Sequence, residues 1–241
     1  MDLFDFAYCG NFDSKINFLS QIAEDENWGD NNIVLKNYIR YYLKEVYERE
    51  KYYSNEESSN KIFNTGLLTK NYEEIFALFE NNKNGKQPLF LKGFYKESRI
   101  LTQKICSKDD LPGLIKFFNS FEDLYFDPSK NIILNKDHIL DERSSRIPLE
   151  IPKDALIRLL EGEIQTLKKR LARNYRLAVP QYYKGSIQFL LPLQLTSNKP
   201  INSLVVSLNG NDYIAHTIFT LDMSYNNARL LMKPESEWLT I

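Results

Sequence analysis

The stretch from Asp154 to Ala178 constrains the fold more than any other part of the chain. Leu156, Leu160, Ile164, Leu167, Leu171 and Tyr175 recur at a spacing that a helix gathers into one stripe. Arg158, Gln165, Lys169, Arg173 and Arg176 fall on the opposite side, and Pro180 is expected to close the helix. An apolar stripe of this length has to be buried against another element. The partner follows at once in the sequence. "SIQFLLPLQL", "NSLVVSL" and "DYIAHTIFTL" read as three strands, and "NGN" between the last two marks a hairpin.

The N-terminal part reads as helix-rich. Asp13 or Ser14 is placed to cap a helix carrying Ile16, Leu19, Ile22 and Ala23. After Gly29-Asp30, "NNIVLKNYIRYYLKEVYERE" puts Leu35, Tyr38, Ile39, Tyr42, Leu43 and Val46 on one face of a long amphipathic helix. "KIFNTGLLT", "LFLKGFY" and "NIILN" read as short strands. "NYEEIFALFENN" is expected to be a helix opened by Asn71 and Glu74 in the manner of a capping box. "KDDLPGLIKFFNSF" suggests a further short helix, and Asp222 a cap for a last one that Pro234 ends. Helices leading and mainly antiparallel strands following give an α+β fold: a helical N-terminal part packed with a C-terminal sheet, as a single domain over residues 1–241.

Charge narrows the functional classes. Lys plus Arg number 31 and Asp plus Glu 32, a formal net charge of -1, so nucleic-acid binding would need a local patch rather than the whole molecule. "LKKRLARNYR" offers one, with five basic residues and no acidic one, although a helix end favours cations in any case. Two cysteines, Cys9 and Cys106, are too few for a zinc site or a disulfide framework, and a reducing, cytoplasmic setting is the expectation. No apolar run approaches the ~20 residues of a membrane span, and the acidic start lacks the pattern of a signal peptide. No carboxylate cluster, P-loop or dinucleotide-binding glycine pattern is present, so neither a metal nor a cofactor is expected.

Several polar groups stand out as candidate ligand contacts. Asn64, Thr65 and Gly66 in "FNTGL" form a turn able to present N–H groups to an anion, or a structural turn. Lys92-Gly93-Phe94 is a fragment of the basic-glycine-aromatic pattern of single-strand RNA readers. Arg170 and Asn174 lie four apart at the border of the apolar stripe, where an arginine suits an anion or a carboxylate. In "LDMSYNNARLL", Asn226, Asn227 and Arg229 after Asp222 make a donor-rich surface suited to phosphates, ribose hydroxyls or base edges, unless they only cap and brace the local backbone. His138 and His216 are the two histidines.

Taken in order, "FNTGL", "LFLKGFYKES", "NKDHI", "RLARNYRLAVPQYY", "IQFLLPLQL" and "LDMSYNNARLL" resemble the family of the domain of unknown function numbered 3825 over nearly the whole chain. That resemblance maps the family pattern onto Asn64, Thr65, Gly66, Lys92, Gly93, His138, Arg170, Arg173, Asn174, Tyr175, Gln181, Asp222, Tyr225, Asn226, Asn227 and Arg229. It also implies RNA metabolism, through the OST-HTH and cold-shock modules to which the family is sometimes joined; here such RNA-binding proteins would act in trans. The expectation is an RNA- or nucleotide-binding domain. Arg170, Arg173 and Arg229 would meet phosphate, Asn174, Gln181, Asn226 and Asn227 sugar or base, and Tyr175 or Tyr225 would stack. Two alternatives stay open. One is a metal-independent enzyme cleaving a phosphodiester, pyrophosphate or glycosidic bond, with His138 or Asp222 as acid or base. The other is a protein-interaction domain.

Overall fold

The structure, a computed structural model, describes residues 2–55, 57–83, 85–139, 146–147, 152–195 and 199–240. The chain is an α+β protein that divides into two compact units, Met1–Lys116 and Phe117–Ile241.

In the N-terminal unit the helices α1 (Leu3–Phe6), α2 (Phe12–Ile22), α3 (Ile33–Glu48) and α4 (Glu97–Thr102) accompany a sheet of five strands among the described residues. These are β1 (Ala7–Tyr8), β2 (Tyr53–Asn55), β3 (Asn60–Leu68), β4 (Glu74–Asn81) and β5 (Leu89–Lys96), in the order β1-β5-β4-β3-β2. Only β1 runs parallel to its neighbour among these pairings. The α3 stripe read from the sequence is buried throughout, from Leu35 to Val46. Tyr47 at its far end stacks on Phe6 and Phe63, and Phe63 in turn lies against Phe79, so one face of the sheet is closed by rings. Ile100 of α4 packs with Ile62, Phe76 and Leu78 on the other face.

The segment expected to be a helix at 71–82 is β4 instead. Ile75 to Phe79 are all buried because this strand lies inside the sheet with both faces covered, and a short continuous apolar run carries no period that separates strand from helix. Tyr72 has a φ of 61°, so Asn71 opens a turn and not a capping box. Likewise 111–120 holds no regular element, and only Phe121–Leu124 forms a 3₁₀ turn. Asn11, rather than Asp13 or Ser14, caps α2 by accepting from the Ser14 N–H at 3.0 Å.

"FNTGL" forms the joint between α3 and the sheet. The β3–β4 register shifts between Asn64 and Leu67, and the bulge is fastened by its own polar groups. The Thr65 hydroxyl donates to the Ile75 carbonyl at 2.6 Å, and Asn64 Oδ1 accepts from the Gly66 N–H at 2.9 Å. From α3, the Tyr38 hydroxyl donates to the Thr65 carbonyl at 2.9 Å. Gly66 has a φ of +70°, and a Cβ there would lie 2.5 Å from the Tyr38 hydroxyl oxygen.

The C-terminal unit has β6 (Ile132–Leu134), α5 (Lys153–Leu171), β7 (Val179–Tyr183), β8 (Ser186–Leu193), β9 (Asn202–Asn209), β10 (Asp212–Thr220) and α6 (Leu221–Leu231). Its sheet order is β6-β10-β9-β8-β7, antiparallel apart from β6 beside β10. The stripe of α5 (Leu156, Leu160, Ile164, Leu167 and Leu171) packs with Leu191, Leu204, Val206 and Ala215 of the sheet. Gly210, at φ +61°, opens the tight turn that pairs Asp212 with Asn209. The helix stops at Leu171, short of Ala178, and Pro180 sits in edge strand β7, a place where a missing N–H is tolerated.

Gly66→Ala is expected to destabilise the protein by about 3 kcal/mol, through left-handed strain and the clash with Tyr38. Gly93→Ala, whose Cβ would meet only the Tyr95 ring at 3.5 Å, is expected to change stability by less than about 1 kcal/mol. Urea unfolding of the two variants checks the contrast.

Candidate functional site

Glu163 is the starting point of the site. It is buried on α5, and Arg170 follows seven residues later, two helical turns along the same face. Its Oε1 accepts from Arg170 Nη2 at 2.5 Å and from the backbone N–H of Gln194 at 2.9 Å, just past the end of β8. One carboxylate thereby holds the guanidinium and fastens α5 to the sheet. Arg170 Nε is enclosed and meets no hydrogen-bond acceptor among the described residues.

The chain then turns under this arginine. Asn174 Oδ1 accepts from the Arg176 N–H at 3.1 Å, capping the 3₁₀ turn Tyr175–Leu177. The C-terminal tail returns to the same turn. The Ser236 hydroxyl donates to the Arg176 carbonyl at 2.8 Å, and the Trp238 indole N–H donates to the Leu177 carbonyl at 3.0 Å. Leu239, 1% exposed, anchors the tail. The result is a cavity of about 510 Å³ whose wall includes Arg170, Asn174, Arg176, Gln194, Lys199 and Trp238. Glu235 and Glu237 also belong to it. Three cations, two carboxylates, a tethered indole and two side-chain amides give it the chemistry to take an anion attached to a flat ring.

Of the residues singled out in the sequence, Arg170 and Asn174 belong to this wall. Arg173 lies beyond the helix end, exposed, with Nη1 on the Lys169 carbonyl at 2.7 Å. Tyr175 is 64% exposed beside Tyr125, their centroids 6.2 Å apart. Gln181 is buried in β7, where its Nε2 donates to Gln188 Oε1 at 3.0 Å across the β7–β8 pair.

The "LDMSYNNARLL" residues form α6, capped by Thr220 rather than Asp222. Tyr225 and Arg229 are buried, so neither ring nor guanidinium presents itself at the surface. Asn226 and Asn227 donate from Nδ2 to the carbonyls of Asp222 and Met223, one turn back, at 2.8 and 2.7 Å. Such back-bonding satisfies a helical amide locally and answers the oddity of two adjacent asparagines in a helix. Neither Asp222 nor His138 belongs to the cavity wall.

Asn64, Thr65, Gly66 and Lys92 all lie in the N-terminal unit. The first three make the bulge joint described above, with Asn64 Nδ2 also donating to the Pro112 carbonyl at 3.0 Å; Lys92 Nζ pairs with Glu80 at 3.2 Å. The wall residues that sequence reasoning passed over are Gln194, Lys199, the two glutamates and Trp238, together with Glu163 behind Arg170. Glu163 was within reach: an acid two turns before an arginine on one helix face is a readable pair. The others come from the ends of a strand and from the tail, and their convergence is visible only in three dimensions.

A family model described as "Domain of unknown function (DUF3825)" matches residues 19–238. The chain belongs to this family. The match runs through α5, β8 and Trp238, so the DUF3825 domain contains every residue of the cavity wall. No curated protein and no solved structure matched the chain. Among the described residues no helix is long and apolar enough to cross a membrane, and no group of three or more His, Cys, Asp or Glu comes together to hold a metal.

Glu163→Ala is expected to cost about 2 kcal/mol, since it strands a guanidinium and a strand-end N–H. Asn227→Ala is expected to stay within about 0.5 kcal/mol of the parent, because the lost back-bond is offset by better helix propensity. Chemical denaturation of both variants measures the difference.

Proposed function

We propose that the protein binds a nucleotide in the cavity around Arg170, with phosphate against the cations and the base against Trp238. The observation that carries this reading is the state of Arg170. Glu163 fixes one end of its guanidinium, while the side chain, about a quarter exposed, lines the cavity wall. A guanidinium held still by one carboxylate and partly exposed in a cavity wall suits an anionic oxygen. Arg176 and Lys199 add charge at the wall, and the volume of about 510 Å³ suits a mononucleotide. Gln194 and Asn174 supply amides for sugar or base. Because His138 and Asp222 lie outside this wall, the reading is of a binding site rather than of a hydrolase built on those two groups.

The test is a titration of the pure protein with nucleoside monophosphates, triphosphates, free nucleosides and inorganic phosphate, followed by tryptophan fluorescence. The chain has two tryptophans, so Trp28→Phe leaves Trp238 as the reporter. The expected result is quenching by nucleotides, with Arg170→Ala weakening binding at least ~10-fold, in line with a charge-assisted contact. Salt should weaken this binding only modestly, as befits a few contacts to one phosphate group. No quenching by any of these compounds, or equal affinity in Arg170→Ala, would tell against the reading.

A further inference from the structure

Lys92-Gly93-Phe94 is the motif that the cavity does not absorb. The structure places it on β5, but Phe94 faces the core at 3% exposure, so the fragment does not present its own ring. Other rings take that place. Tyr8 of β1, 54% exposed, stacks on Phe90 of β5 at 5.9 Å, and Tyr95 is half-buried further along the strand. Phe90 and Tyr95 each carry a cation: Lys15 Nζ stands 5.3 Å from the Phe90 centroid and the Arg99 guanidinium 5.0 Å from that of Tyr95. Between α2 and β5 runs a shallow groove of about 220 Å³, whose wall includes Lys15, Lys92, Arg99 and the 45%-exposed Phe18, and no carboxylate among the described residues. Glu80 pairs with Lys92 from the neighbouring strand and offsets part of that charge.

We infer that this edge of the N-terminal sheet is a second site, a platform for single-stranded nucleic acid, with the rings stacking bases and Lys15, Lys92 and Arg99 following the phosphates. In a protein of net charge -1, a wall with three cations and no acid among the described residues selects a polyanion locally. The exposed rings add what a simple anion does not need, namely flat faces that stack any base. From Phe90 to Tyr95 the strand rises about 16 Å, enough for several nucleotides. A duplex keeps its bases stacked inside and offers these rings nothing. The inference is independent of the nucleotide cavity, since every residue it uses belongs to the N-terminal unit.

The experiment is fluorescence anisotropy with a labelled oligouridylate of about twelve nucleotides, a duplex RNA of equal length and an oligoglutamate peptide. The expected order is single strand well above duplex and peptide. Tyr8→Ala should weaken single-strand binding about 10-fold. Lys92→Gln and Arg99→Gln should each flatten the slope of log affinity against log salt by roughly 0.7. Arg170→Ala should leave it unchanged, and thermal melts confirm that each variant is folded. Equal affinity for duplex or peptide would overturn the inference, as would Tyr8→Ala and Arg99→Gln binding like the parent. Loss confined to Arg170→Ala would also overturn it, by moving the oligonucleotide to the C-terminal cavity. Failure of mononucleotide binding with the platform intact would count against the cavity alone.

Discussion

The C-terminal unit depends on one carboxylate placed where water cannot fully reach it. Glu163 accepts from Arg170 on its own helix and from the backbone of Gln194 at the end of β8. A buried acid of this kind is tolerated only when it is fully engaged, and the engagement fixes three things together. It sets the rotation of α5 on the sheet, it ties off the strand end, and it holds a guanidinium still. The turn after α5 and the returning tail then assemble around that guanidinium, so the cavity follows from the way the helix is anchored.

The N-terminal unit uses polar groups for a different end. Asn64 and Thr65 are almost fully buried, and their side-chain hydrogen bonds go to Gly66, Leu67, Glu74, Ile75 and Pro112 of the same unit. They secure a bulge on which two tyrosines of α3 rest, and Gly66 is the residue that the close approach of Tyr38 and Tyr42 permits. Asn227 in α6 is satisfied one turn back along its own helix. These residue types resemble ligand contacts in a sequence because a backbone carbonyl and a ligand oxygen ask for the same donor.

This is also why the sequence told more about the fold than about the site. The stripe of α3 was legible in full and that of α5 as far as Leu171, beyond which Tyr175 leaves the helix and is exposed. Also legible were β3, β5, β6, the strands β8 to β10 and the hairpin at Gly210, because each has a period or a turn signal of its own. The strand β4 was lost to a run apolar on both sides, and β7 to a proline that an edge strand accepts. Arg170 and Asn174 were found because they sit at the border of a visible stripe. Trp238 and Lys199 carry no local pattern that points inward. Trp238 comes in with a tail hydrogen-bonded to the turn at Arg176 and Leu177, a contact between residues some sixty positions apart, and Lys199 from the segment between β8 and β9.

A nucleotide bound as proposed would meet the partly exposed guanidinium of Arg170. The most direct measurement is the side-chain Nε–H resonance of Arg170 in a ¹H–¹⁵N spectrum, assigned with Arg170→Lys and followed as a nucleotide is added. The expected result is a proton shift and slower exchange for this one resonance as an anion settles beside the guanidinium, saturating with the fluorescence titration. Nucleotide binding that leaves the Arg170 resonance unmoved while another arginine responds would contradict it.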